Sequence, residues 1–214
     1  MRDLVRLSIE NPKCGRLEKT QLPCREITNK DIIELEMKKG CIDLVSKFFN
    51  EGKDHDFAEK GLEGRCEIAY QFYDGIKQEM DIDAKLSFDP TMARKELGCF
   101  NPVNNTIRLN ANYLENPDCK DLLNTILHES RHAFQHRCVK HPDSCDVSPK
   151  VIEVWKDNQK HYIRPDDDFV AYENQPIETC AFSGERQSIK YLCAPCPQLH
   201  LAKGKAGETA LIKT

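Results

Sequence analysis

An α+β fold follows from three features of the chain: helix-period stripes across residues 29–80, period-two alternation between residues 84 and 110, and a further helix-period segment after residue 116. Residues 1–28 mix charge, Pro12, Pro23 and two cysteines without periodicity and read as an irregular lead-in. From there Ile33, Met37, Cys41, Leu44, Val45 and Phe48 recur at steps of three and four, predicting an amphipathic helix capped by Thr28 or Asn29 and ended near Asn50-Glu51-Gly52. Leu62, Cys66, Ala69, Tyr73 and Ile76 predict a second helix across residues 56–79, interrupted by Gly61, Gly64 and Gly75. The period then shortens. Ala84, Leu86 and Phe88 alternate with Lys85 and Ser87, and Gly98-Cys99-Phe100 is separated from Thr106–Asn110 by the turn cluster 101–105, which predicts a small, mostly antiparallel sheet. Asn116-Pro117-Asp118 supplies a cap, a first-turn proline and an acid for the helix dipole, opening a helix through about Arg137. Residues 138–168 read as a long polar connection around the short apolar piece Val151, Ile152, Val154 and Trp155. A last helix starts at Pro176 and carries Ile177, Ala181, Phe182, Ile189 and Leu192. The expected organisation is a lead-in (1–28), one domain (29–196, with a helical elaboration at 29–80 and a core at 84–192) and a flexible tail (197–214).

Composition narrows the functional classes. The 214 residues are 39% hydrophobic and 31% charged, with a formal charge of −4, as expected of one acidic globular domain able to bury a core. No apolar run approaches the roughly 18–20 residues of a membrane span, and the start lacks the apolar stretch of a secretory signal. The chain is therefore expected in the cytoplasm, or secreted by a route without a classical signal peptide. An acidic balance without a basic block argues against nucleic acid and leaves a protein or peptide as the expected partner. The eleven cysteines are an odd number, which does not imply a complete disulfide framework.

The chemistry concentrates at His128-Glu129-Ser130-Arg131-His132. Residues four apart share a helix face, so two imidazoles at this spacing can bind one Zn²⁺, while the glutamate beside the first histidine sits next to the activated water. Zinc lowers the pKa of bound water from about 15.7 toward 7, and Glu129 is the expected base. Two ligands do not close a site. A metzincin would place glycine seven and histidine ten residues after His128, where this chain has Gln135 and Cys138, so that pattern fails. Glu178, at the start of the last helix and followed three positions later by the small Ala181, fits a carboxylate third ligand; a first-turn glutamate is also favoured by the helix dipole alone.

His128-Glu129-x-x-His132 followed by Glu178-x-x-Ala181-Phe182 resembles the compact gluzincin-type zinc metallopeptidases, which include the ImmA/IrrE-type peptidases and the short metallopeptidase domains of bacterial toxins and effectors. The resemblance covers about residues 84–192; HExxH is its specific part, and ExxA is short. It implies a zincin-like fold for that part, with the small sheet, the HExxH helix and a C-terminal ligand helix, to which the N-terminal helices read from periodicity are added. It also implies peptide-bond hydrolysis, with His128, His132 and Glu178 on zinc and Glu129 as base, and a sheet edge beside the metal where an extended peptide adds as a strand.

Other residues have plainer readings. His136 extends the stripe, but three histidines at i, i+4 and i+8 drift around the helix and cannot all converge. Tyr172 is the preferred oxyanion donor, with His161 and Tyr162 as the other choices. Asn174 or Gln175 is expected to cap the last helix, and Asp166-Asp167-Asp168 to form a solvated acidic turn. Cys193-Ala194-Pro195-Cys196 lacks a second pair at finger spacing. Two rival functions stand beside the peptidase: a non-catalytic, zinc-binding interaction protein of the same fold, and a cysteine-rich metal or redox module in which HExxH is coincidental.

Overall fold

The computed structural model describes residues 39–183. The lead-in, the caps at Thr28 and Asn29, Cys193-x-x-Cys196 and the tail lie outside the described residues. Within them the chain is α+β, with seven helices and one three-stranded sheet.

The N-terminal part contains α1 (Lys39–Asn50), α2 (Lys53–Glu59) and α3 (Leu62–Met80). Where sequence periodicity predicts one second helix, the chain breaks at Lys60-Gly61, because Lys60 turns extended and Gly61 starts the next helix. Arg65 fastens the break, donating to the carbonyls of Phe57 and Ala58 and, across the chain, to those of Leu114 and Glu115. The buried stripes of α1 (Cys41, Val45, Phe48) and α3 (Phe72, Tyr73, Ile76, Met80) belong to one core with Ile107, Leu109 and Ile126.

The sheet has the order β1–β3–β2, with β1 Lys85–Asp89, β2 Gly98–Asn101 and β3 Thr106–Asn110. The expected mostly antiparallel sheet is corrected to a mixed one. β2 runs antiparallel to β3, whereas β1 pairs parallel with it, in register Leu86↔Ile107 and Phe88↔Leu109. Alternation alone cannot set strand direction; the long 90–97 excursion carries the chain past β3's place and back along its far side. Buried Asn110 holds that excursion, donating from Nδ2 to the carbonyls of Ala93 and Glu96 while its backbone N–H reaches Leu97. β2 is consequently an edge strand whose position is fixed from inside the fold.

A 3₁₀ turn (Ala111–Glu115) leads to α4, Lys120–Lys140. Asn116 and Asp118 accept from the backbone N–H groups of Asp118 and Lys120 in two successive Asx turns, so the helix opens slightly later than its sequence signal. The middle of α4, residues 125–131, is buried on every side, with the sheet, α3 and later helices around it. The expected polar connection after it is not irregular. Pro149–Lys160 forms α5, which buries Val151, Ile152 and Trp155 on one face, and Phe169–Asn174 forms the short α6. The spacing 151, 152, 155 is itself a helix stripe, too short against its polar surroundings to stand out. Residues 176–183 begin α7. Contacts of Gln135 with Ile177, Arg131 with Cys180 and His128 with Phe182 show that α7 runs antiparallel along α4.

Candidate metal centre

The fourfold spacing on α4 puts His128 and His132 one turn apart with their Nε2 atoms 3.0 Å from each other. α7 brings the Glu178 carboxylate to the same point, with Oε2 lying 3.2 Å from His128 Nε2 and 3.4 Å from His132 Nε2. Glu178 is fully buried, and its Oε2 makes no hydrogen bond. An orphaned carboxylate oxygen in the interior is costly unless something positive completes it. Bonds of about 2.0–2.1 Å in a tetrahedral zinc site place neighbouring ligand atoms about 3.3 Å apart. The triangle of 3.0, 3.2 and 3.4 Å therefore matches one face of such a site. His128, His132 and Glu178 thus form a group that could hold a metal ion, and its two imidazoles and one carboxylate suit a transition metal.

The surrounding hydrogen bonds hold each donor in place. Gln135 is fully buried; its Oε1 is 3.0 Å from His132 Nδ1, and its Nε2 donates to the Ile177 carbonyl. One amide thereby orients the ring and ties α4 to the ligand helix. Tyr162 donates from its hydroxyl to Glu178 Oε1 at 2.6 Å, leaving Oε2 to face the histidines. The segment carrying Tyr162 is clamped by Gln175, which accepts from the Ile163 N–H and donates to the Ile163 carbonyl. Asn158 on α5 completes the frame, donating to Gln175 and accepting from the N–H of Ile177. The first-turn cap of α7 is therefore Asn158, and neither Asn174 nor the Gln175 side chain serves as that cap.

Burial opposes charge on Glu178, yet the facing His132 and His128 rings hold its carboxyl below the usual range. Burial and the Glu178 carboxylate push the hydroxyls of Tyr162 and Tyr172 well above the ordinary tyrosine value, so both remain protonated donors.

Two cavities flank the centre. One, of about 500 Å³, is bordered by Leu97, Asn124, Phe169 and Phe182; the other, of about 690 Å³, by Phe100, His136, Gln159 and Arg164. Glu129 and Tyr172 line both, so the expected base and the expected oxyanion donor stand where the cavities meet. Of the alternative donors, Tyr162 is engaged by Glu178, and His161 is exposed and turned to Asp157. His136 stays outside the ligand group, its ring packed against Phe100. Gly98 of the β2 edge borders both cavities. Cys138, at the metzincin histidine position, is disulfide-bonded to Cys145.

Sequence reasoning did not find Gln135, Tyr162 as a ligand partner, or the Asn158–Gln175 frame. Gln135 carried a usable signal, since i and i+3 share a helix face with His132; the others act across loops and leave no periodic trace. No family model matches the chain, and no curated protein or solved structure matches it either. The class that fold and site define is accordingly an α+β protein with a possible His₂Glu metal centre on two antiparallel helices.

Proposed function

We propose that the protein is a zinc-dependent peptidase of zincin-like fold acting on protein or peptide substrates. The observation that carries this reading is Glu129: a buried carboxylate outside the ligand group, adjacent to His128 and lining both cavities. A purely structural metal site has no use for an acid that is not a ligand, which weighs against the non-catalytic alternative.

His128, His132 and Glu178 would hold the ion, which when bound supplies Lewis acidity and a more acidic water. Glu129 takes the proton from the attacking water as its oxygen bonds to the scissile carbonyl carbon. The Tyr172 hydroxyl, kept protonated, donates to the oxygen on which negative charge develops. Glu129 then returns its proton to the departing nitrogen as the C–N bond breaks, so water is added across the bond and no other reactant is consumed. The outer edge of β2, with Gly98, Cys99 and Phe100 beside the larger cavity, offers backbone groups for an extended peptide.

The test is cleavage of a proteome-derived peptide library by zinc-loaded wild type and by Glu129→Gln. The expected result is a set of new termini that the variant fails to generate while still binding zinc. Equal cleavage by both proteins contradicts the mechanism.

A further inference from the structure

The two cavities differ in how their Lys and Arg side chains are paired. Around the smaller one the single Lys or Arg side chain, Lys95, pairs with Asp166 at 3.2 Å. Around the larger one three polar side chains are unanswered among the described residues. Arg164 makes neither an ion pair nor a side-chain hydrogen bond, Gln159 has no hydrogen-bond partner, and the buried His136 Nε2 has none. Of the three acids that follow Arg164 in sequence, Asp166 pairs with Lys95 and Asp168 accepts from the N–H of Ala171 at the start of α6, and Asp167 makes no ion pair with Arg164 among the described residues. The carboxylates lining this cavity are Glu129 and Glu178, both already assigned to chemistry. Arg164 is also held in register with the centre, because Tyr162, two residues earlier, bonds Glu178 and Gln175 clamps Ile163 between them.

We propose that the larger cavity is a carboxylate subsite, in which the Arg164 guanidinium, assisted by the Gln159 amide, pairs with an acidic group of the substrate on one side of the scissile bond. A planar guanidinium without a partner suits a carboxylate, which it can engage through two parallel N–H donors. This inference rests on the peptidase reading, and it makes the substrate either a chain engaged by its C-terminal carboxylate or one bearing Asp or Glu near the cleavage point.

Four peptide hydroxamates test it, each joining the same metal-binding head to one residue: alanine free acid, alaninamide, glutamic acid α-amide and glutamine α-amide. Binding to the zinc-loaded full chain is measured by calorimetry for wild type and Arg164→Gln, a substitution at an exposed position. Wild type is expected to bind at least one charged member about tenfold more tightly than its uncharged twin, and Arg164→Gln to lose that preference while binding the uncharged twin unchanged. Preference within the alanine pair assigns the terminal carboxylate, and preference within the glutamate pair an acidic side chain. Equal binding of charged and uncharged members by wild type, or a preference that survives in Arg164→Gln, overturns the subsite and leaves the peptidase reading standing. Failure of all four hydroxamates to bind the zinc-loaded chain overturns both.

Discussion

Glu178 divides its two carboxylate oxygens between two tasks, one bound by Tyr162 and the other turned to the histidine pair. That division separates the two tyrosines of the site. Tyr162 holds the carboxylate of Glu178, so on the proposed zinc reading Tyr162→Phe should weaken zinc binding about 10- to 100-fold in a chelator competition. Tyr172 lines both cavities and also lies beside Glu178; Tyr172→Phe should cost less zinc affinity than Tyr162→Phe and lower kcat by about 10²- to 10³-fold. Wild-type zinc affinity in Tyr162→Phe would refute the orienting role. At this scale the sequence is eloquent about the groups whose chemistry demands a fixed spacing. His128 and His132 are readable as a pair because helix geometry imposes the interval, and Glu178 because a helix start and a small residue accompany it. Tyr162 is not readable, since its partner lies sixteen positions away across a loop and only the folded chain brings them together.

Among the elements, the approach of β2 to α4 sets the width of the cleft. A Cβ on Gly98 would lie 2.7 Å from Thr125 Cγ2, 2.9 Å from Leu109 Cδ2 and 3.2 Å from the Arg108 carbonyl oxygen. The backbone oxygen and the packed Leu109 cannot yield cheaply, so Gly98→Ala should destabilise the protein by about 1–3 kcal/mol in urea unfolding and push the edge strand off the motif helix. A midpoint equal to wild type would contradict the close approach. The helices on the chemical path were the more legible elements: α4 and the start of α7 announce themselves by period and by cap or proline signals. The sheet's mixed pairing was hidden because period-two alternation reports which face is buried and says nothing about strand direction. α5 was hidden because a single short stripe, Val151-Ile152-Trp155, is flanked by lysines and acids that resemble a loop.

For the molecule as a whole, the metal-binding group and the Cys138–Cys145 bridge sit at different parts of α4, with the bridge closing the helix end over a separation of seven residues. Closing so short a loop stabilises by about 2–3 kcal/mol on the chain-entropy account. The double substitution Cys138→Ser and Cys145→Ser should lower stability by about that amount in denaturant titration while zinc content is retained. Loss of zinc together with the bridge would instead make the cysteines part of the metal site. Of the eleven cysteines, the seven among the described residues contribute a staple and three buried thiols, one of which, Cys119, is pushed by burial and nearby Asp54 and Asp118 up to about 12. One zinc ion bound between α4 and α7 is the centre of the proposed function. Its most direct test is zinc content per chain after equilibrium dialysis, for wild type, His128→Ala, Glu178→Ala and Glu129→Gln. The prediction is about one zinc in wild type and in Glu129→Gln, and none in the other two. Zinc retained at full stoichiometry in His128→Ala and Glu178→Ala, or no zinc in wild type, would contradict it.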